Sequence, residues 1–273
     1  LSGELAWARF GLPSLARAED AVAGPSRATP LAFAVRVTLG WELAAARGAA
    51  RPTPPGVGVA AEVMEALRAS GALFQAELVS RLRRLPAEID EALWELVGRG
   101  LLTADGFGSV RALLSARERW SRRTGSHPAG PRRLRRGARE ASSEGRWAML
   151  PEADPGSDAD ALAEAVAEQL LARWGVLFRD VVARETLALP WRDIVWALRR
   201  LEARGLVRGG RFVSGFAGEQ YALPEAVDLL RETRRRPRAG ERVWVSAVDP
   251  LNLVGIVTPG PRISPLSGQV TAY

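Results

Sequence analysis

One segment of this chain occurs twice, and the duplication limits the fold more than any other feature. The first copy, GALFQAELVSRLRRLPAEIDEALWELVGRGLLTADGF, begins at Gly71; the second, GVLFRDVVARETLALPWRDIVWALRRLEARGLVRGGRF, begins at Gly175. Gly71, Phe74 and Pro86 match Gly175, Phe178 and Pro190 at an offset of 104. Ile89, Ala92, Leu93, Gly100 and Leu101 match Ile194, Ala197, Leu198, Gly205 and Leu206 at an offset of 105, so one residue is inserted after the proline. Self-similarity at this length means one supersecondary unit used twice.

Both copies share a local grammar. An amphipathic helix, Val59 to Ser70 or Asp158 to Trp174, is closed by a glycine. A short helix entered through a Leu-Phe pair follows. Pro86 or Pro190 then opens a third helix, which ends at Arg-Gly. Two short strands come next, with hairpins expected at residues 103–106 and 208–211. Helix, helix, helix, hairpin is the winged-helix order; a generic three-helix bundle with a hairpin is the plainer alternative. The expected class is mainly α with small β: tandem winged-helix domains plus a partial β-barrel or small sheet.

Composition narrows the chemistry. The chain has 273 residues with a net charge of +7, and every basic residue is arginine. Without lysine there is no Walker-A loop and no Schiff-base chemistry. Without cysteine, and with His127 as the lone histidine, no zinc finger or histidine metal site can be built. No cofactor and no metal are therefore expected in this chain. His127 lies among Arg, Gly and Pro residues, where rigid placement in a catalytic triad is not expected. Zero cysteine makes a cytoplasmic protein the expectation. No apolar run is long enough to span a membrane, so no membrane partner is expected. The opening Leu1-Ser2-Gly3 has no signal-peptide pattern and reads as cut from something longer.

Five regions are expected. Residues 1–57 form a strand and helix segment linked to upstream parts, with a strand candidate at Leu31 to Leu39. Residues 58–114 are the first winged helix. Residues 115–157 are an arginine-rich linker; Ser115 to Trp147 alone holds ten Arg against three Glu. Such a segment is often merely solvated, but beside a polyanion it adds salt-sensitive affinity. Residues 158–233 are the second winged helix. Residues 241–273 are a β-rich tail, part of a barrel, with strands expected at VWVSAV and LVGIVTPG.

The two third helices differ in charge. In the second copy Ile194, Leu198 and Leu201 form a buried stripe, opposite Arg192, Trp196, Arg199 and Ala203, with Arg200 and Arg204 flanking. The wing adds Arg208 and Arg211, and Arg179 lies just upstream. Guanidinium forks suit phosphates and guanine edges. Arg179, Arg192, Trp196, Arg199, Arg200, Arg208 and Arg211 are therefore the candidate DNA-binding residues, for duplex or single-stranded DNA. A solvated basic face without a ligand is the bland reading, and Trp191 and Trp196 fit packing better than base stacking. The first copy carries Glu88, Asp90, Glu91 and Glu95 instead. That face is repelled by phosphates, which leaves it as a spacer or protein contact. Arg199 and Arg200 are the pair whose loss should weaken duplex binding.

No catalytic motif stands out. Glu219 and Gln220 lie between the wing and the next helix, where a carboxylate or amide is placed to orient a water near nucleic acid. The plainer reading is a return strand and a helix cap. Asp249, ahead of Pro250, reads as a turn residue. The catalytic residues are otherwise unknown.

Several stretches resemble the C-terminal region of the large helicase-related (Lhr) family of bacterial ATP-dependent DNA helicases. They are GRWAMLP at Gly145, RWGVLFRDVVARE at Arg173, LPWRDIVWALRRLEARGLVRGGRFVSGFAGEQYALPEAV at Leu189 and DPLNLVGIVTPG at Asp249. The opening LSGELAWARF is also similar. The resemblance implies an upstream superfamily-two helicase motor as partner, followed by winged-helix modules and a small β-barrel like that of AlkZ-type DNA glycosylases. It also implies a role in DNA repair, uracil-DNA glycosylase activity and homo-oligomer formation in this region. The chain itself has neither a Walker-A loop nor a DExH box. The expectation is an accessory DNA-binding region, with a uracil-excising glycosylase module and an oligomerisation module as rivals.

Overall fold

The computed structural model describes residues 4–12, 29–111, 145–154, 158–237, 240, 242–249, 251–258, 261–264 and 267–272. Most of the arginine-rich stretch, with His127, lies outside the described residues. The chain divides into two units, residues 1–155 and 156–273. No helix among the described residues is long and apolar enough to cross a membrane.

The first unit starts with an antiparallel pair, β1 (Leu5–Ala8) and β2 (Ala32–Val35), with Leu5 opposite Val35 and Ala8 opposite Ala32. Helix α1 (Leu39–Arg47) follows. The first copy of the repeat then unfolds in order: α2 (Val59–Ser70), β3 (Leu73–Phe74), α3 (Gln75–Leu82), α4 (Pro86–Gly98) and β4 (Leu102–Ala104). Helix starts are set by carboxylates three residues in. The Phe74 and Leu85 amides donate to Glu77 and Glu88 at 2.7 and 2.8 Å, satisfying N–H groups that lack helical partners.

The expected hairpin at residues 103–106 does not form. Strand β4 pairs instead with β5 (Arg146–Met149), on the far side of the arginine-rich stretch, and β5 lies between β3 and β4. Residues 146–149, assigned to the linker by composition, thus complete the first unit's sheet. The crossing is tight: Gly145 has φ +93, and a Cβ there would stand 2.6 Å from the Gly106 amide nitrogen. Only glycine fits that position. The pairing buries Trp147 in a core with Val63, Leu67, Leu78, Ile89, Leu93 and Leu96.

The second unit repeats the order. Helix α5 (Ala159–Trp174) is capped by Asp158, which accepts from the Asp160 amide at 2.9 Å, and closed by Gly175 at φ +69. Then come β6 (Val176–Phe178), α6 (Arg179–Val182), α7 (Trp191–Ala203), β7 (Arg208–Gly210), β8 (Gln220–Ala222) and α8 (Pro224–Arg235). Ile194, Ala197, Leu198 and Leu201 are buried, the expected stripe. In the sheet, β8 lies between β6 and β7. Residues 208–210, expected in the turn, are a strand, and the turn is the longer loop before β8.

In the tail, VWVSAV supplies β9 (Trp244–Ser246), paired with β10 (Val270–Ala272). LVGIVTPG is not a strand; it makes only an isolated bridge between Val254 and Thr258. The cause is polar. The Asn252 amide donates to the Ser246 carbonyl and the Thr271 hydroxyl, and Asp249 accepts from the Leu251 amide, which folds the segment into turns. Among the described residues no closed barrel forms.

Candidate nucleic-acid interface

Helix α7 is amphipathic because apolar residues recur at helical spacing, so its buried stripe fixes which side faces water. Arg192, Trp196, Arg199 and Ala203 fall on the exposed side. Trp196 is 58% exposed, on the face opposite the stripe, so of its two readings core packing does not hold. The Arg199 guanidinium stands 5.3 Å from its ring centroid, a cation–π distance.

The wing stands beside this face and is tied to it. Arg199 donates to Glu219 at 2.7 Å, and the second Glu219 oxygen accepts from the Tyr221 hydroxyl at 3.1 Å. These bonds, the Arg199 bond first, hold the Glu219 carboxyl below its ordinary value, so it is anionic at neutral pH. Burial pushes the Tyr221 phenol up, so it stays a donor. At the base of the wing, Glu202 accepts from the Gly209 amide at 2.9 Å.

Gln220 is fully buried in β8, and both ends of its amide are engaged by the wing loop. Its oxygen accepts from the Phe212 and Val213 amides, and its nitrogen donates to the Val213 carbonyl, each at 2.8 Å. It shapes the wing loop and is not positioned to orient a water. Gln220→Leu is expected to destabilise the second unit by about 2 kcal/mol, by leaving the loop's polar groups unpaired. Hydrogen exchange at Phe212 and Val213 should accelerate. Glu219 is engaged by Arg199 and Tyr221, and the Asp249 carboxylate is engaged in its turn.

The candidate arginines do not form one surface. Arg200 turns toward α5, where it reaches Asp160 at 3.3 Å and Glu164 at 3.6 Å; its side chain is only 37% exposed. Arg204 also pairs with Glu164. These two join helices within the domain. Arg192 is highly exposed and pairs with its neighbour Asp193 at 3.1 Å. Arg208 and Arg211 are exposed on the wing, and among the described residues no ion pair or hydrogen bond engages their side chains. Arg179 is exposed at the first turn of α6, with no such tie to α7 or the wing. The exposed cations are thus Arg192 and Arg199, on the same side of α7 as Trp196, and Arg208 and Arg211 on the wing. Tyr221, which sequence reasoning missed, helps lock it; its alternation with Glu219 across one strand was the available signal.

The matching helix of the first copy is covered. At the offset of 105, Arg199 corresponds to Trp94, which packs 6.3 Å from Trp7 of β1 and 5.9 Å from Trp147. The Trp7 indole donates to the Gly106 carbonyl, and Thr103 donates to the Trp7 carbonyl. Glu88 caps its own helix, Glu95 pairs with Arg99, and Glu91 is exposed.

Three helices closed by a sheet-borne wing, with a cationic helix face beside that wing, define residues 156–242 as a winged-helix domain. They match the family model described as the large helicase-related protein winged-helix domain. The chain belongs to the large helicase-related family. It is 30% identical over 220 residues to the Lhr helicase/uracil glycosylase of Escherichia coli strain K12, covering 73% of this chain. It is 32% identical over 217 residues, 74% of this chain, to the Lhr helicase/probable uracil glycosylase of Mycolicibacterium smegmatis. The matched region spans 14% of the length of each relative.

Proposed function

We propose that this chain is an accessory DNA-binding region of an Lhr-type ATP-dependent helicase, acting with a motor borne elsewhere in the protein and serving DNA repair. The observation that carries this reading is the exposed side of α7 and its wing: Arg192, Trp196 and Arg199 on the helix, and Arg208 and Arg211 on the wing with no carboxylate partner among the described residues. Cations in that arrangement meet a phosphate backbone with little desolvation cost and release its counterions. The names of the relatives, which join a helicase to uracil excision, support the repair setting.

The first copy is a second winged helix in this reading. It repeats the element order, but Trp7 and Trp94 seal the helix face that the other copy leaves open, and Glu91 makes what remains acidic. It serves as a spacer or protein contact.

Anisotropy titration of labelled DNA tests the assignment. Arg199→Ala is expected to weaken binding about fivefold, because it removes a surface cation and leaves Glu219 unpaired beside the ligand. Arg200→Ala should change it less than twofold, because that guanidinium faces α5. A larger loss from Arg200→Ala would move the binding face to the other side of the helix.

A further inference from the structure

The open face of α7 carries an aromatic ring where a reader of duplex grooves would carry amides or more guanidinium groups. An indole has one N–H donor and no acceptor, so it reads little of a base-pair edge. Its useful surface toward nucleic acid is its π face, and that surface needs a base whose own face is free. In continuous duplex those faces are stacked away.

Trp196 is presented for such a contact. It is 58% exposed, and its ring is flanked by the Arg199 guanidinium at 5.3 Å. Arg199 is itself held by Glu219 at 2.7 Å, and Glu219 by the hydroxyl of the buried Tyr221 at 3.1 Å. The cation beside the ring is therefore fixed by the wing rather than swinging in solvent. On the wing, Arg208 and Arg211 remain available for phosphates. The repeat supplies a contrast: the corresponding position of the first copy is Glu91, and the tryptophan one turn on, Trp94, is partly buried against the core, beside Trp7.

We propose that Trp196 is a base-stacking, specificity-determining residue, and that the α7–wing face selects single-stranded DNA, alone or at a fork, over continuous duplex. The inference rests on the DNA-binding reading above and names the substrate form that reading leaves open. Trp196 supplies the stacking platform, Arg199 orients and polarises it, and Arg208 and Arg211 hold the backbone of the same strand.

The test is an anisotropy titration of the full chain against a labelled single strand, a forked duplex with one unpaired arm, and a blunt duplex of the same sequence. Trp196→Ala should lose about tenfold on the single strand and the fork, and less than twofold on the blunt duplex. Trp196→Phe should retain most of the affinity. Arg208→Ala with Arg211→Ala should weaken all three ligands. An unchanged melting temperature checks that each variant is folded, as the exposure of these side chains leads one to expect. Equal losses from Trp196→Ala on all three ligands, or none on any, would overturn the stacking role while leaving the DNA-binding reading intact. A wild-type chain that binds none of the three would overturn that reading itself, and this inference with it.

Discussion

Replacing Arg47 by methionine is expected to destabilise the first unit by about 3 kcal/mol, at roughly 1 kcal/mol for each hydrogen bond removed. Arg47 is 6% exposed, at the last turn of α1. Its guanidinium donates to the carbonyls of Phe10 at 2.9 Å, Arg9 at 3.1 Å and Gly100 at 2.8 Å. Arg9 adds a bond to the Gly98 carbonyl at 2.9 Å, so two arginines converge on the C-terminal end of α4, where unpaired carbonyls concentrate negative potential. Burial pushes Arg47 down to about 10, yet it remains charged at neutral pH. Methionine fills similar volume but leaves three carbonyls without donors. The same bonds hold the segment bearing Trp7 across α4, so the loss should appear as an earlier urea unfolding transition in tryptophan fluorescence. Arg68→Met, which breaks an exposed pair with Glu65, should barely move that transition. Equal shifts from both would show that the buried guanidinium does not anchor the N-terminal segment.

Reversing the wing charges, Arg208→Glu with Arg211→Glu, is expected to weaken DNA binding by about thirtyfold. Two favourable phosphate contacts become two repulsive ones. Because neither guanidinium is tied to another side chain among the described residues, the change should leave the fold intact. Reversal in the other direction, Glu91→Arg in α4, is expected to restore little: the ring that would sit beside it, Trp94, is sealed against Trp7. A gain of affinity from Glu91→Arg comparable to the loss on the wing would mean that charge alone, and not the open helix face, determines where DNA sits.

The element order was legible because glycines and prolines punctuate both copies at matching places, and the buried stripe of α7 because its period is helical. What escaped notice was non-local. Nothing near Leu102 signals that its partner strand starts at Arg146, since the pairing spans a stretch that reads as linker. Arg199 and Arg200 are adjacent and chemically alike, yet a helix turns about 100° between them. One therefore meets the wing, and the other meets Asp160 and Glu164 on a helix forty residues earlier. Helical period placed Trp196 opposite the buried stripe, where it is found exposed; what the sequence did not show is its pairing with the Arg199 guanidinium, which the wing's Glu219 holds in place. Gln220 shows the converse. A polar residue in a candidate site was taken up by three backbone groups of its own loop.

The most direct measurement is the dependence of DNA affinity on salt concentration, for the wild-type chain and for Arg208→Ala with Arg211→Ala. Both proteins carry the same arginine-rich stretch, so whatever it contributes cancels and the difference in slope isolates the wing. If each wing arginine neutralises one phosphate, the slope of log K against log salt should be shallower in the variant by about 1.4 on a single strand and about 1.8 on duplex. Parallel slopes would contradict the account, because the wing would then carry no contact with the DNA backbone.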